Sequence, residues 1–426
     1  MKLTPRQIGI IIGGMVLLAL GYWILNSNLK SASAPPEITL KVWGTDLSSY
    51  FDPILQQYQA MRPNVTITYQ SISESGYDAK VLNTLASGDG PDVFVIGNHD
   101  LPKSVEKLAP ADPTQMNITT LRSLFPTVVE QDSVSGSSSM IYALPLRIDT
   151  LSLIYNKDML DAAGIVVPPA NWSDFQADVQ RLKSVDENGR VVVAGAAVGG
   201  TQSTISRAPD IIYSLMLQNN VAMTDSTFST ASFATDSGLE ALNFYIRFAD
   251  PTSAYFTWTD GLGTDREAMT NQKTAMMFGY YSDYLALKKK SPFINFAAAA
   301  FPVQEGGGKQ VTYASYKEMA VSKQSKTPGW GWDFVIFATT NTAAQDAYQK
   351  LSGYPPALRA SIAKNINDPE LGVYARQALI ARTWHEADPV QVDAAFNSAV
   401  QDTLSGRLDS SRALRAAQEK VTSLMK

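Results

Sequence analysis

The sequence has no cysteine and only two histidines, His99 and His385. No disulfide, thiolate metal site, cysteine nucleophile or lipid-modified cysteine can form, and imidazole chemistry is confined to two positions. Charge is sparse as well, at 18% of residues. Lys and Arg number 35 against 40 Asp and Glu, a net charge of −5, so no basic excess draws the chain onto nucleic acid. No Gly-x-Ser-x-Gly elbow, His-Glu-x-x-His helix or phosphate-binding P-loop occurs. What is present is apolar: the hydrophobic set makes up 45% of 426 residues. That is too apolar and too weakly charged for disorder, and long enough for about two domains.

The N-terminus carries Lys2 and Arg6, then an uncharged run from Ile8 to Leu25. Its length approaches the ~20 residues of a bilayer span and exceeds the apolar core of about 7–15 residues in a cleavable signal. Ala32-Ser33-Ala34 has the small-x-small form of a cleavage site, but it lies well past the run and Pro35 follows it. The reading is one uncleaved transmembrane helix over 8–25, with a cleaved signal as the alternative. Residues 1–7 form a basic cytoplasmic tip, and 26–37, rich in Ser, Ala and Pro, form a tether. This places the protein in the cell membrane, single-pass, with its C-terminal body extracellular or periplasmic.

From Ile38 onward strand and helix patterns alternate. Residues 38–43, 65–69 and 92–96 are β-rich, and 49–62 presents the helical face Ile54, Leu55, Tyr58, Met61. Gly88-Asp89-Gly90-Pro91 stops a short helix over 79–86. Strand patterns recur at 151–155, 191–197, 274–278 and 296–301, and helical patterns at 172–182 and 237–249. Residues 332–339 fit either a helix or a strand. The tail from Asp346 is almost wholly helical in pattern. This alternation predicts an α/β fold.

Four stretches carry more specific information: LASGDGPDVFVIGNHD (85–100), IYALPLRIDTLSLIYNKDMLDAAGIVVPPANWSDF (141–175), TAMMFGYYSDY (274–284) with AAAAFPV and YKEMAVSKQSK after it, and SGRLDSSRALRAAQEKV (405–421). In order and spacing the set resembles extracellular solute-binding proteins of ABC importers, family 1, which includes the maltose/maltodextrin-binding proteins. The resemblance implies a two-lobe periplasmic-binding-protein fold, type II-like, with a hinge and an interlobe cleft. Lobe 1 is expected over 38–147 plus 300–338, and lobe 2 over 149–297 plus 341–426. Crossings are placed near 145–150, 297–302 and 337–341. The implied role is capture of a small solute, a carbohydrate or oligosaccharide, for delivery to an ABC transporter permease by a monomer without enzymatic activity, cofactor or metal.

The candidate ligand-binding residues follow from the resemblance and from the rule that ligands sit beyond the carboxyl ends of strands. Asp149 matches a sugar-contacting carboxylate in the first crossing. Tyr281 stands where the family has a stacking tryptophan, with Tyr280 beside it. Trp43, Thr45 and Asp46 follow the first strand, and Asn98, His99 and Asp100 follow the strand at 92–96. Trp258, Asp260, Tyr313 and Tyr316 are rim candidates, as are Ser73, Glu74 and Tyr77 after the second strand. Each has a bland alternative as a packing or solvated residue, and Trp330, Trp332 and Trp384 fit packing as well as they fit the rim. Alanine at Asp149 or Tyr281 is expected to weaken binding while leaving the melting temperature nearly unchanged. The alternatives left open are the same fold binding a polyamine, metal chelate or anion, a sensor-coupled receptor, and an anchored glycosidase working through two carboxylates.

Overall fold

The computed structural model describes residues 4, 13–21, 36–135, 139–305 and 309–426. Most of the tip, the expected membrane segment and the tether fall outside these residues. Residues 13–21 are helical, and among the described residues no helix is long and apolar enough to cross a membrane.

The strands in chain order are β1 (Ile38–Gly44), β2 (Val65–Ser71), β3 (Val93–Gly97), β4 (Ala143–Pro145), β5 (Ser152–Asn156), β6 (Ser184–Val185), β7 (Val191–Ala197), β8 (Thr274–Gly279), β9 (Phe296–Ala299), β10 (Thr312–Tyr313), β11 (Lys317–Val321) and β12 (Ala381–Arg382). They form two five-stranded sheets, β2-β1-β3-β11-β4 and β6-β7-β8-β5-β9, joined by the short pair β10-β12. The first sheet is parallel through β2, β1 and β3, with β11 antiparallel to both of its neighbours. Central strands are covered on both faces: Val93 to Ile96 in β3 and the whole of β8 are buried.

Local chemistry sets the helices. Asn171 accepts a hydrogen bond from Asp174 N at 2.8 Å and starts the helix Trp172–Leu182. Trp172, Phe175 and Val179 of that helix enter the second core, where the Trp172 ring meets Phe175, Phe244 and Phe301 edge-on. Gly195 lets β7 approach this helix, because a Cβ there would lie 2.1 Å from the Val179 carbonyl oxygen.

Each sheet has its own core. One gathers Leu40, Val42, Phe51, Val93 and Phe125, and the other gathers Leu153, Phe175, Met276 and Phe278. The chain passes between them at 146–151, at 312–316 and at 381–384, and bridges Thr150 to Ala314 and Tyr313 to Arg382 lay the three crossings side by side. The crossings expected near 297–302 and 337–341 do not lie there. Residues 297–299 are the end of β9, inside the second sheet. Asn341 separates two helices, Pro328–Thr340 and Thr342–Ser352, that both pack on the first sheet's core through Phe334, Val335, Ala344 and Tyr348. The segment 341–362 therefore packs with the first lobe rather than the second. The expected boundary fails because a helix-to-helix joint and a lobe crossing give the same break in hydrophobic pattern. The last two helices, Pro389–Leu404 and Ser410–Leu424, pack in the second core.

Candidate functional site

Where the three crossings lie side by side, Tyr313 joins groups from both lobes. Its ring, 1% exposed, stacks parallel to His99 with centroids 5.2 Å apart and 1° between planes. Its hydroxyl donates to Glu386 at 2.8 Å. Tyr213 packs against the same ring at 5.3 Å and donates its own hydroxyl to Asp393 at 2.9 Å. Thus His99 from the first lobe, Tyr313 from the second crossing and Tyr213, Glu386 and Asp393 from the second lobe form one cluster.

A second group adjoins it. Arg207 forks onto Asp283 at 3.0 and 3.2 Å, and its guanidinium lies 4.8 Å from the centre of the Tyr280 ring. Burial would raise the Asp283 carboxyl, but Arg207 and Arg266 outweigh it and hold the group below the ordinary range. Asp210 has no comparable cation of its own. Its burial, with Asp393 and Asp283 nearby, pushes it up to about 7 against the pull of Arg207. Burial, with Asp393 adding to it, moves Glu386 well above the ordinary carboxylate range, opposed by the Tyr313 hydroxyl. Burial lowers His99 to about 4, so its imidazole is neutral.

The crossings are braced beside the cluster. Asn98, 1% exposed, donates to Asp132 at 2.9 Å and accepts from Tyr316 N at 2.9 Å. Asp132 also accepts from the Tyr316 hydroxyl at 2.6 Å and from Thr383. One buried carboxylate thereby links the β3 end to the second and third crossings.

Of the residues expected from sequence, the structure brings His99, Tyr313 and Tyr280 into this region. Asp149 is close by, but its carboxylate accepts from the backbone N–H groups of Tyr281 at 2.8 Å and Ser282 at 3.2 Å. It sits on the positive N-terminal end of the helix Tyr281–Lys290. Tyr281 packs its ring edge-on to Tyr374 at 4.9 Å in the second core and is 3% exposed. Trp43 is buried in the first core with the Lys80 ammonium over its ring, and Tyr77 donates to its carbonyl. Asp46 is engaged by Arg147 at 2.5 Å and by the Tyr348 hydroxyl at 2.7 Å, with Thr45 half-buried beside it. Asp100 pairs with Lys103 at 2.8 Å. Trp258 is buried with its Nε1 on Thr204, which in turn donates to the exposed Asp260.

Sequence reasoning missed Arg207, Asp210, Tyr213, Glu386 and Asp393. Arg207 and Asp210 follow β7, so the rule that selected Thr45 and Asn98 would have found them. Glu386 and Asp393 lie just beyond the third crossing, which the sequence pattern misplaced. Rings, carboxylates and a guanidinium suit recognition of a ligand by stacking and hydrogen bonds. Among the described residues no group of three or more His, Asp or Glu side chains could hold a metal ion.

The fold has relatives. A protein of Brucella abortus (strain 2308) described as a binding protein is 21% identical over 421 residues, which span 96% of this chain and 98% of that one. The cyclic α-maltosyl-1,6-maltose binding protein of Arthrobacter globiformis superposes with a TM-score of 0.76 at 20% identity, covering 92% of this chain and all of that one. The sugar-binding protein MalE of Xanthomonas citri superposes with a TM-score of 0.75 at 17% identity, covering 91% and 97%. The sequence profile of bacterial extracellular solute-binding proteins matches residues 43–345. This is a family of binding proteins and not of enzymes, and the chain belongs to it.

Proposed function

We propose that the protein captures a carbohydrate between its lobes and delivers it to an ABC transporter permease. The observation that carries this reading is the convergence at Tyr313 of groups from both lobes: His99 from one, and Tyr213, Glu386 and Asp393 from the other. A sugar offers hydroxyls that donate to carboxylates and C–H faces that lie on rings, and this cluster supplies both partners. A ligand that touches His99 and Glu386 at once binds the closed arrangement better than the open one, so it shifts the population toward closure. The sugar ligands of the Arthrobacter and Xanthomonas proteins support the class. The segment 8–25 tethers the body to the membrane and raises its effective concentration at the permease.

One observation favours a second reading. Asp210, Glu386 and Asp393 are pushed above their ordinary range together, which a cationic solute such as a polyamine would relieve. The test is the melting temperature of the detergent-solubilised full chain against mono- and oligosaccharides, polyamines, amino acids and metal ions, because a ligand that binds only the folded state raises it. A saturable rise with one sugar class, without turnover of that sugar, supports the proposal. A rise only with polyamines replaces it by the second reading, and a rise only with amino acids or metal ions overturns both.

A further inference from the structure

We infer that a groove separate from the Tyr313 cluster is a second ligand site, for a neutral polyhydroxylated molecule of the carbohydrate class. The groove has a volume of about 1150 Å³ and is walled by the helix Thr127–Ser133 of the first lobe, by residues 217–228 of the second and by Thr383, Trp384 and His385 between them. In this stretch Glu386 turns to Tyr313, while Trp384 and His385 line the groove.

Charge argues against an anionic ligand. Among the described residues no lysine or arginine lines the groove. Of its two carboxylates, Glu130 is forked by Arg122 at 2.7 and 2.6 Å. The other, Asp225, is taken up by its own turn, accepting from Ser229 N at 2.7 Å and from the hydroxyls of Thr227 and Thr230. The groove therefore presents rings, hydroxyls, an amide and apolar side chains; Asp225 keeps its negative charge but its oxygens are occupied by its own turn, and among the described lining residues no cation matches a phosphate.

Three further features fit a hydroxyl-bearing ligand. Trp384 Nε1 and His385 Nε2 are buried and have no hydrogen-bond partner among the described residues. Burial lowers His385 from its ordinary range, so the imidazole is neutral while the backbone carbonyls of Gln131 and Asp132 hold it. Indole N–H is a donor only, a neutral imidazole can accept, and a sugar hydroxyl does both. Phe228 adopts a positive φ of 54°, a conformation a phenylalanine rarely takes, and its ring stands edge-on to His385 at 6.1 Å. The Asp225 turn holds it there, giving the groove an aromatic face at its wall. Because both lobes supply walls, an occupant also stabilises the lobe arrangement described here.

The inference stands independently of the cleft. The test uses the full chain labelled with ¹³C-methyl methionine, because Met223 lines the groove, and maltotriose is the probe. The expected result is a saturable shift of the Met223 methyl resonance whose midpoint rises at least about tenfold in Phe228→Ala and in His385→Ala, the loss of roughly one good contact. No shift up to about 10 mM, beyond the millimolar affinity a few hydrogen bonds and one ring support, overturns the inference. So does a midpoint unchanged in both variants, which would report cleft closure felt at a distance. An equal response to polyethylene glycol of similar length overturns the carbohydrate class.

Discussion

The imidazole of His99 and the phenol ring of Tyr313 lie parallel, 1° apart in plane, so a residue of the first lobe rests on a residue of the second crossing. Any change in lobe angle must slide or separate these rings. The hydroxyl of Tyr313 meanwhile donates to Glu386, which lies beyond the third crossing. One side chain thus joins the first lobe, the second crossing and the segment beyond the third.

The first prediction concerns that carboxylate. Glu386 is 2% exposed and its recorded side-chain donor is the Tyr313 hydroxyl. Glu386→Gln keeps the shape but puts an amide in place of the carboxyl group, at a cost of about 0.5–1.5 kcal/mol to a bound hydroxyl, so affinity for the cleft ligand should fall roughly 2–12-fold. Calorimetric titration of wild type and variant checks this. Equal affinities would place the ligand elsewhere.

Asp149 yields a prediction opposite to the one its sequence position suggests. Its carboxylate accepts from two backbone N–H groups at the start of the helix Tyr281–Lys290. Asp149→Ala leaves those donors buried and removes a negative charge from the helix's positive end, costing about 1–2 kcal/mol. Asp149→Asn should cost less, since one acceptor remains. Urea denaturation orders the three proteins, and an unchanged midpoint for Asp149→Ala would reject the capping role.

The alternation of strand and helix was legible from residue 38 onward because the buried strands are short and apolar, and β1, β3 and β8 each end at a glycine. The helix Trp172–Leu182 and the strand Val191–Ala197 fall where their patterns place them. The crossings at 312–316 and 381–384 were not legible. A hinge strand is only two or three residues long, and Thr312-Tyr313 pairs with Ala381-Arg382 across a separation no local pattern encodes. The same limit hid Glu386 and Asp393. It also disguised Asp149 and Asp46, whose partners, the Tyr281 backbone and Arg147, lie far away in sequence.

Tyr281 provides a third test. Its ring is buried against Tyr374 and Tyr284. Tyr281→Ala opens a cavity in the second core and should cost about 3–5 kcal/mol, whereas Tyr281→Phe should lie within about 0.5 kcal/mol of wild type. Sequence position alone assigns this ring to the ligand and expects an unchanged melt. A stable Tyr281→Ala protein with weakened binding would restore that assignment.

Two buried groups near the crossings make stability depend on pH in opposite senses. Burial lowers His99 from 6.5 to about 4. Between those values the unfolded chain takes up a proton that the folded chain refuses, so this contribution is present above pH 6.5 and is lost as pH falls toward 4. Burial raises Asp132 from 3.8 to about 7, against the hydrogen bonds from Thr383, Tyr316 and Asn98. Between those values the folded chain holds a proton that the unfolded chain has released, so this contribution is present at low pH and is lost as pH rises toward 7. Each slope reaches at most ~1.4 kcal/mol per pH unit. Asp132→Asn abolishes the second slope and keeps the first. The variant is less stable overall, because Asn98 then faces an amide in place of its acceptor. Its deficit relative to wild type should nevertheless shrink by about 1 kcal/mol or more between about pH 5 and about pH 7.5, measured by urea denaturation in matched buffers. A deficit constant across that range would mean that Asp132 is ionised in the folded chain throughout, with its three donors outweighing burial.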